Sequence, residues 1–216
     1  MAQVDIVVFD KTGTLTEGGN PTVSDFEILS GTHTEWDPKV VLGIAAELES
    51  ASSHPLGTAI RSFCEARDVP PMTGSAFEEV AGRGLRAHFE LMQCTAIIGN
   101  EAWLVEHGAA VDNMIGQRLE TWKSEAKSVI LLGMRDESRH CRDSQPFAIA
   151  AIFAVADRLR PEAQFVVSSL QHQGISTWMI SGDNGVTARA VALTVGIPMT
   201  NVIAGVLPHE KVERII

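Results

Sequence analysis

A carboxylate, an ammonium, a glycine and three hydroxyls fall within seven consecutive residues near the start of this sequence, Asp10-Lys11-Thr12-Gly13-Thr14-Leu15-Thr16. That composition suits a phosphoryl group better than it suits a core. An exposed aspartate is already ionised at neutral pH, so it can attack a γ-phosphate without a general base. Lys11 can offset phosphate charge, Gly13 lets the backbone approach closely, and Thr12 and Thr14 offer hydroxyl donors. The preceding apolar run, residues 4–9 with one interruption at Asp5, reads as a buried strand of a parallel sheet. Asp10 is then delivered to the carboxyl end of a central strand, where open α/β sheets place their chemistry. The competing reading is a strand that simply ends in a polar turn, and the seven residues in order disfavour it.

The heptad resembles the phosphorylation motif of P-type ATPases, ion pumps that form an aspartyl phosphate in each cycle. The resemblance implies that Asp10 is the phosphorylated residue. Phosphatases built on the same sheet usually carry a second aspartate two positions after the nucleophile, as acid and base for hydrolysis. This sequence has Thr12 there. Without a local base, an acyl phosphate on Asp10 is expected to persist, which suits a pump intermediate.

The elements that must position this turn follow two patterns. The ends of the sequence look doubly wound. Pro161 sits at the first turn of a helix with Phe165, Val166 and Leu170 on its apolar face, ended near Gly174. A strand over residues 175–180 follows. Asn184 caps a helix with Val186, Ala190 and Leu193 on one stripe, stopped by Gly196 and Pro198. A short strand at 201–203 leads to Pro208 and a last helix.

The middle reads differently. After the hinge-like residues 17–21 comes a strand at 22–29, then helices opened by Pro38 and Pro55, the second ended by Pro70-Pro71. Strands are predicted near 76–80, 85–89, 95–98, 129–134 and 147–155, with a polar helical region from Glu101 to about Ala126. The charged run 135–145 reads as an exposed hairpin tip. The economical architecture is an α/β, doubly wound, Rossmann-like domain (residues 1–20 and 156–216) interrupted by an α+β domain with an antiparallel sheet (21–155). The resemblance implies that the first is a haloacid-dehalogenase-like phosphorylation domain and the second a nucleotide-binding domain.

Composition narrows the function classes. The 216 residues carry 17 Lys and Arg against 27 Asp and Glu, a net charge of −10, which excludes a generic nucleic-acid or anionic-membrane surface. Cys64, Cys94 and Cys141 show no CxxC spacing and read as reduced packing residues of an intracellular protein, not a metal site. No apolar run approaches the ~20 residues that span a bilayer, and no signal peptide opens the sequence. If the chain belongs to a pump, it is expected to be a soluble piece on the cytoplasmic side of the membrane, without direct membrane insertion.

A second constellation lies in the middle. Ser52-Ser53-His54-Pro55-Leu56 falls at a predicted helix start with Glu49 upstream, and Gly82-Arg83-Gly84 falls between two predicted strands. Singly these are weak signals: a histidine there is most often a cap, and hairpins produce GxG constantly. Together with Gly99-Asn100 they resemble the ATP-binding domain of heavy-metal-transporting P-type ATPases, which carry Ser-Glu-His-Pro-Leu, Gly-x-Gly and Gly-Asn in this order. The resemblance implies adenosine contacts at Glu49, His54, Gly82, Gly84 and Asn100. This sequence departs from the pattern at Ser53, where the family has Glu.

At the phosphate end, Ser181-Gly182-Asp183 resembles the family's Thr-Gly-Asp, and the Ser181 hydroxyl and Gly182 N–H are expected on a phosphate oxygen. Asp157 to Glu162 resembles the stretch that returns to the phosphorylation domain, with Asp157 near the hinge and nucleotide. Residues 207–212 resemble the family's Leu-Pro-x-x-Lys, placing Lys211 opposite an anion. The family's Mg²⁺ lies on the nucleophilic aspartate, a carbonyl two residues on, and an aspartate of a later Gly-Asp-Gly segment. Asp10 and Thr12 match the first two, while the sequence stops at Ile216 before the third. The isolated chain is therefore expected to bind ATP or ADP but to phosphorylate poorly. The actuator and transmembrane parts of a parent pump are its expected partners, and the details of the insertion most resemble the copper(I)-exporting branch. The rival readings are a soluble phosphatase or phosphotransferase on the same sheet, and a catalytically silent nucleotide-binding module.

Overall fold

The computed structural model describes residues 4–17, 21–29, 36–138 and 146–206. The chain divides into two units, one formed by Met1–Pro21, Glu120–Ser128 and Ala156–Ile216, the other by Thr22–Leu119 and Val129–Val155.

The first unit is built on a parallel sheet. Strand β1 (Ile6–Asp10) pairs with β8 (Ser176–Ile180), and β8 with β9 (Val202–Ile203), in the order β1-β8-β9. Asp10 is in register with Ile180, and Ile180 with Ile203, so the three strands end level. Among the described residues β1 lies at the end of this order, not at its centre as the sequence suggested. Helices α5 (Ala163–His172) and α6 (Gly185–Val195) make the connections that parallel strands require.

Their buried faces correct the sequence reading. Helix α5 buries Ala163 and Val167, while Phe165 is 74% exposed. Helix α6 buries Thr187, Ala188, Val191, Ala192 and Val195, while Leu193 is 67% exposed. Ranking by side-chain size selected the wrong stripe on both helices. The face that packs carries Ala and Val at i, i+4 spacing, because small side chains let a helix lie close to a sheet.

The second unit holds a six-stranded sheet in the order β2-β7-β6-β5-β4-β3, with β3 (Ser75–Val80), β4 (Gly84–Phe89), β5 (Cys94–Gly99) and β6 (Ser128–Asp136) successively antiparallel. Strands β2 (Thr22–Ile28) and β7 (Ala148–Ala156) complete it. Helices α1 (Pro38–Ser50) and α2 (Pro55–Glu65) cover one face, with Ile44, Leu48, Ile60, Phe89, Ile98 and Phe153 fully buried. Asp37 caps α1 by accepting from Lys39 N at 2.7 Å, ahead of Pro38 in the first turn. The helix expected over 101–126 is two, α3 (Glu101–Glu106) and α4 (Asn113–Ser124), with Gly108 at φ +84° between them. Arg135 and Asp136 still belong to β6, and residues 139–145 lie outside the described residues.

Cys64 and Cys94 are buried with thiols pushed up to about 12, chiefly by desolvation. They are packing residues, inert as nucleophiles.

Candidate phosphoryl-transfer site

Asp10 is the last residue of β1, and the chain turns at once. Thr12 (φ −74°, ψ 122°) and Gly13 (φ 78°, ψ −6°) have the dihedrals of a type II turn, whose second central residue must have positive φ. A Cβ on Gly13 would meet nothing within 4 Å, so backbone freedom, not close approach, requires the glycine. The turn is stitched by Thr16. Its N–H and hydroxyl donate to Lys11 O at 3.0 and 3.1 Å, and its hydroxyl accepts from Gly13 N at 3.1 Å. Thr16 is buried, and Leu15 is anchored in the core behind it. Of the three hydroxyl residues, Thr12 and Thr14 are exposed and Thr16 is scaffold.

Residues 157–160 brace this turn from the other side. Arg160 N donates to Leu15 O at 2.9 Å, Glu17 N to Arg158 O at 2.8 Å, and the Arg160 guanidinium to Gly13 O at 3.3 Å. Asp157, half-buried, leads this segment.

The turn after β8 supplies the partner. The Lys11 ammonium, 4% exposed, is ion-paired with Asp183 Oδ2. The Ser181 hydroxyl donates to the same oxygen at 3.2 Å and accepts from Asp183 N at 3.1 Å. Ser128 Oγ donates to Asp183 Oδ1 at 3.1 Å. Ser181 was expected on a phosphate oxygen; it is 1% exposed and its hydroxyl is turned to Asp183, while Gly182 is exposed. Asn184 caps α6, accepting from Val186 N and Thr187 N at 3.0 and 3.1 Å. Lys211 lies outside the described residues.

In the second unit, His54 caps α2 through Nδ1, which accepts from Leu56 N at 3.2 Å. A neutral ring then carries its proton on Nε2. Glu49 is 6% exposed, and its carboxyl is pushed up to about 7 by desolvation, with the Ser52 hydrogen bond opposing and the Glu79 charge reinforcing. A Cβ on Gly57 would lie 2.3 Å from Glu49 Oε2, so the missing side chain makes room for that carboxyl.

The glycine pair divides in function. Gly82 adopts φ +73° in the turn between β3 and β4. A Cβ on Gly84 would lie 2.3 Å from Ile98 O and 2.6 Å from Trp103 Cδ1, so Gly84 is required by the indole packed against it. Asn100 donates to Gly82 O at 3.0 Å and accepts from Trp103 N at 2.8 Å, tying the turn to the start of α3. Gly82, Gly84 and Asn100 thus form one cluster, and Glu49, His54 and Gly57 another.

A family model for haloacid dehalogenase-like hydrolases matches residues 4–214. The chain belongs to this family. The chain is also 35% identical over 212 residues (98% of its length) to a probable copper-transporting ATPase PacS of Synechococcus elongatus. It is 34% identical over 214 residues, 99% of its length, to a copper-exporting P-type ATPase of Vibrio cholerae. It spans 26% and 21% of those two proteins. Among solved structures, the catalytic domain of the CPx-ATPase CopB-B superposes with TM-score 0.67 at 21% identity, over 99% of this chain and 66% of that one. A zinc-transporting PIB-type ATPase in its E2.Pi state gives 0.56 at 26% identity, over 98% and 31%.

In this haloacid dehalogenase-like chain the β1 and β8 turns converge on one acidic, lysine-neutralised corner. Among the described residues no three His, Cys, Asp or Glu side chains are grouped as a metal cage would require. Asp183 is neutralised by Lys11; carboxylate and carbonyl oxygens such as those of Asp10 and Thr12 are of the kind that Mg²⁺ takes. Sequence reasoning missed Thr16 as scaffold and missed Ser128 and Trp103 entirely. Ser128 had no signal, because only the fold brings it to Asp183 across 55 positions.

Proposed function

We propose that this chain is the ATP-using catalytic unit of a heavy-metal P-type ATPase of the copper-exporting branch, with Asp10 as phosphoryl acceptor. The observation that carries this reading is the Lys11–Asp183 ion pair beside an aspartate at the end of a parallel strand. It keeps a buried cation next to the nucleophile in sequence, where the negative charge of an incoming triphosphate must be offset. An Asp10 carboxylate oxygen forms the new bond to Pγ as the bond from Pγ to the bridging oxygen breaks, and ADP leaves. Thr12 and Thr14 offer hydroxyl donors to the transferred group. Mg²⁺, held by Asp10 and the Thr12 carbonyl, would supply further charge neutralisation.

The adenine end is assigned to Glu49 and His54. A carboxyl that titrates near 7 presents both a donor and an acceptor at neutral pH, which matches the paired acceptor and donor of an adenine edge. The exposed imidazole of His54 offers its ring face for stacking. Gly82, Gly84 and Asn100 shape the neighbouring turn, and Asp157 lies on the strand-like segment that braces the β1 turn. Copper enters the reading through the resemblance of the middle domain and through the relatives named above, which bear copper in their names.

ADP–ATP exchange in the full-length protein tests the reading. A persistent acyl phosphate gives exchange that disappears in Asp10→Asn. Turnover of small phosphate esters without exchange would favour a phosphatase on the same sheet instead.

A further inference from the structure

Asp183 is held from two sides. Its Oδ2 accepts from Lys11 and Ser181, while its Oδ1 accepts from Ser128 at 3.1 Å. Ser128 is 6% exposed and belongs, with residues 120–127, to the same unit as Asp183. Its backbone is fixed there as well, since the Thr187 hydroxyl donates to Lys127 O at 3.1 Å and the Asn184 amide donates to Thr187 Oγ1 at 3.0 Å. The chain reaches this place through Ala126 at φ +62°, a left-handed conformation that a residue with a Cβ adopts only when its surroundings impose it.

A carboxylate bonded through one oxygen can swivel about its terminal torsion; one bonded through both cannot. We propose that Ser128 is a positioning residue for phosphoryl transfer: its hydroxyl fixes the Asp183 carboxylate, and through it the Lys11 ammonium, in the orientation that receives the γ-phosphate at Asp10. The inference rests on the function proposed above. Ser128 touches neither nucleotide nor the reacting atoms in this account. It acts on the rate of transfer and leaves the adenine end alone.

The experiment is the initial rate of acid-stable labelling from γ-labelled ATP in the full-length protein, for wild type, Ser128→Ala and Ser128→Thr, with thermal unfolding of each. Losing a charge-assisted hydrogen bond of this kind is expected to slow labelling at saturating ATP about tenfold. The half-saturating ATP concentration is expected to stay within about twofold, because that quantity reads the untouched adenine end. Threonine keeps the hydroxyl and suits a strand, so Ser128→Thr is expected to recover most of the rate. Equal rates in wild type and Ser128→Ala would overturn the inference while leaving Asp10 as acceptor. So would a Ser128→Ala loss that tracks thermal stability and that threonine does not restore. Absence of label in wild type would instead remove the proposed function, and this inference with it.

Discussion

Buried Lys11 and half-buried Asp183, 172 positions apart, form an ion pair that joins the turn leaving β1 to the turn leaving β8. Removing one partner leaves the other as an uncompensated charge in a site with little access to water. Such losses cost about 3–5 kcal/mol. Asp183→Ala is therefore expected to lower stability by that order, whereas Asp183→Asn, which keeps two acceptor and donor positions, loses less. Chemical denaturation of both variants checks the ranking; equal losses would mean that charge alone, not shape or hydrogen bonding, holds the corner.

Glu49 makes stability depend on pH. Its folded carboxyl titrates at about 7 against an ordinary 4.5, so the folded state binds the proton more tightly than the unfolded state. The favourable contribution is complete below about 4.5, declines as pH rises, and is gone above about 7. The span corresponds to at most about 3 kcal/mol. Urea midpoints from pH 4.5 to 8 should fall for wild type through this window and flatten in Glu49→Gln. A slope that survives Glu49→Gln would assign the effect to another group.

Two glycines of the motifs are expected to fail for different reasons. A Cβ at position 84 would meet the Ile98 carbonyl and the Trp103 ring, neither of which can move cheaply. Gly84→Ala is expected to cost about 2 kcal/mol from overpacking. Gly13→Ala meets open space but must hold φ +78°, at about 1–2 kcal/mol. Under the proposed function its effect on labelling is expected to exceed its effect on stability, because that turn sets the positions of Thr12 and Thr14. Unfolding and labelling measured on both variants separate the two cases.

Ala126 offers the converse change. Its left-handed backbone is natural for glycine, so Ala126→Gly is expected to raise stability by about 0.5–1 kcal/mol, relief of strain exceeding the added unfolded-state entropy. A destabilised variant would show that the Ala126 methyl, packed at the edge of the core, outweighs the strain.

His54→Ala separates cap from ligand. Loss of the Nδ1 cap on α2 costs about 1 kcal/mol of stability whatever binds nearby. If His54 also contacts adenine, calorimetric ATP affinity drops about tenfold. Unchanged affinity would leave His54 a cap alone.

The elements were legible where period and punctuation agree. Pro38 and Pro55 open their helices, Asn184 caps α6, and β4, β5 and β7 follow their apolar runs. Which face of α5 and α6 packs was not legible, because Phe165 and Leu193 outrank Ala163 and Ala192 in hydrophobicity yet fit the sheet less closely. The turn after Asp10 was readable as a turn because its residues are contiguous. Its bracing was not: the three hydrogen bonds of Thr16 and the Trp103 ring against Gly84 come only with the fold. Local spacing reports what a turn offers; only long-range packing reports which of its groups are already spent.

The most direct measurement of the central claim is chemical identification of the phosphorylated side chain. Full-length protein is incubated with ATP and Mg²⁺, trapped by borohydride reduction, digested and read by mass spectrometry. The account predicts homoserine at position 10 in wild type and unmodified peptide in Asp10→Asn. A reduced carboxyl at any other position, or ATP turnover that survives Asp10→Asn, would contradict it.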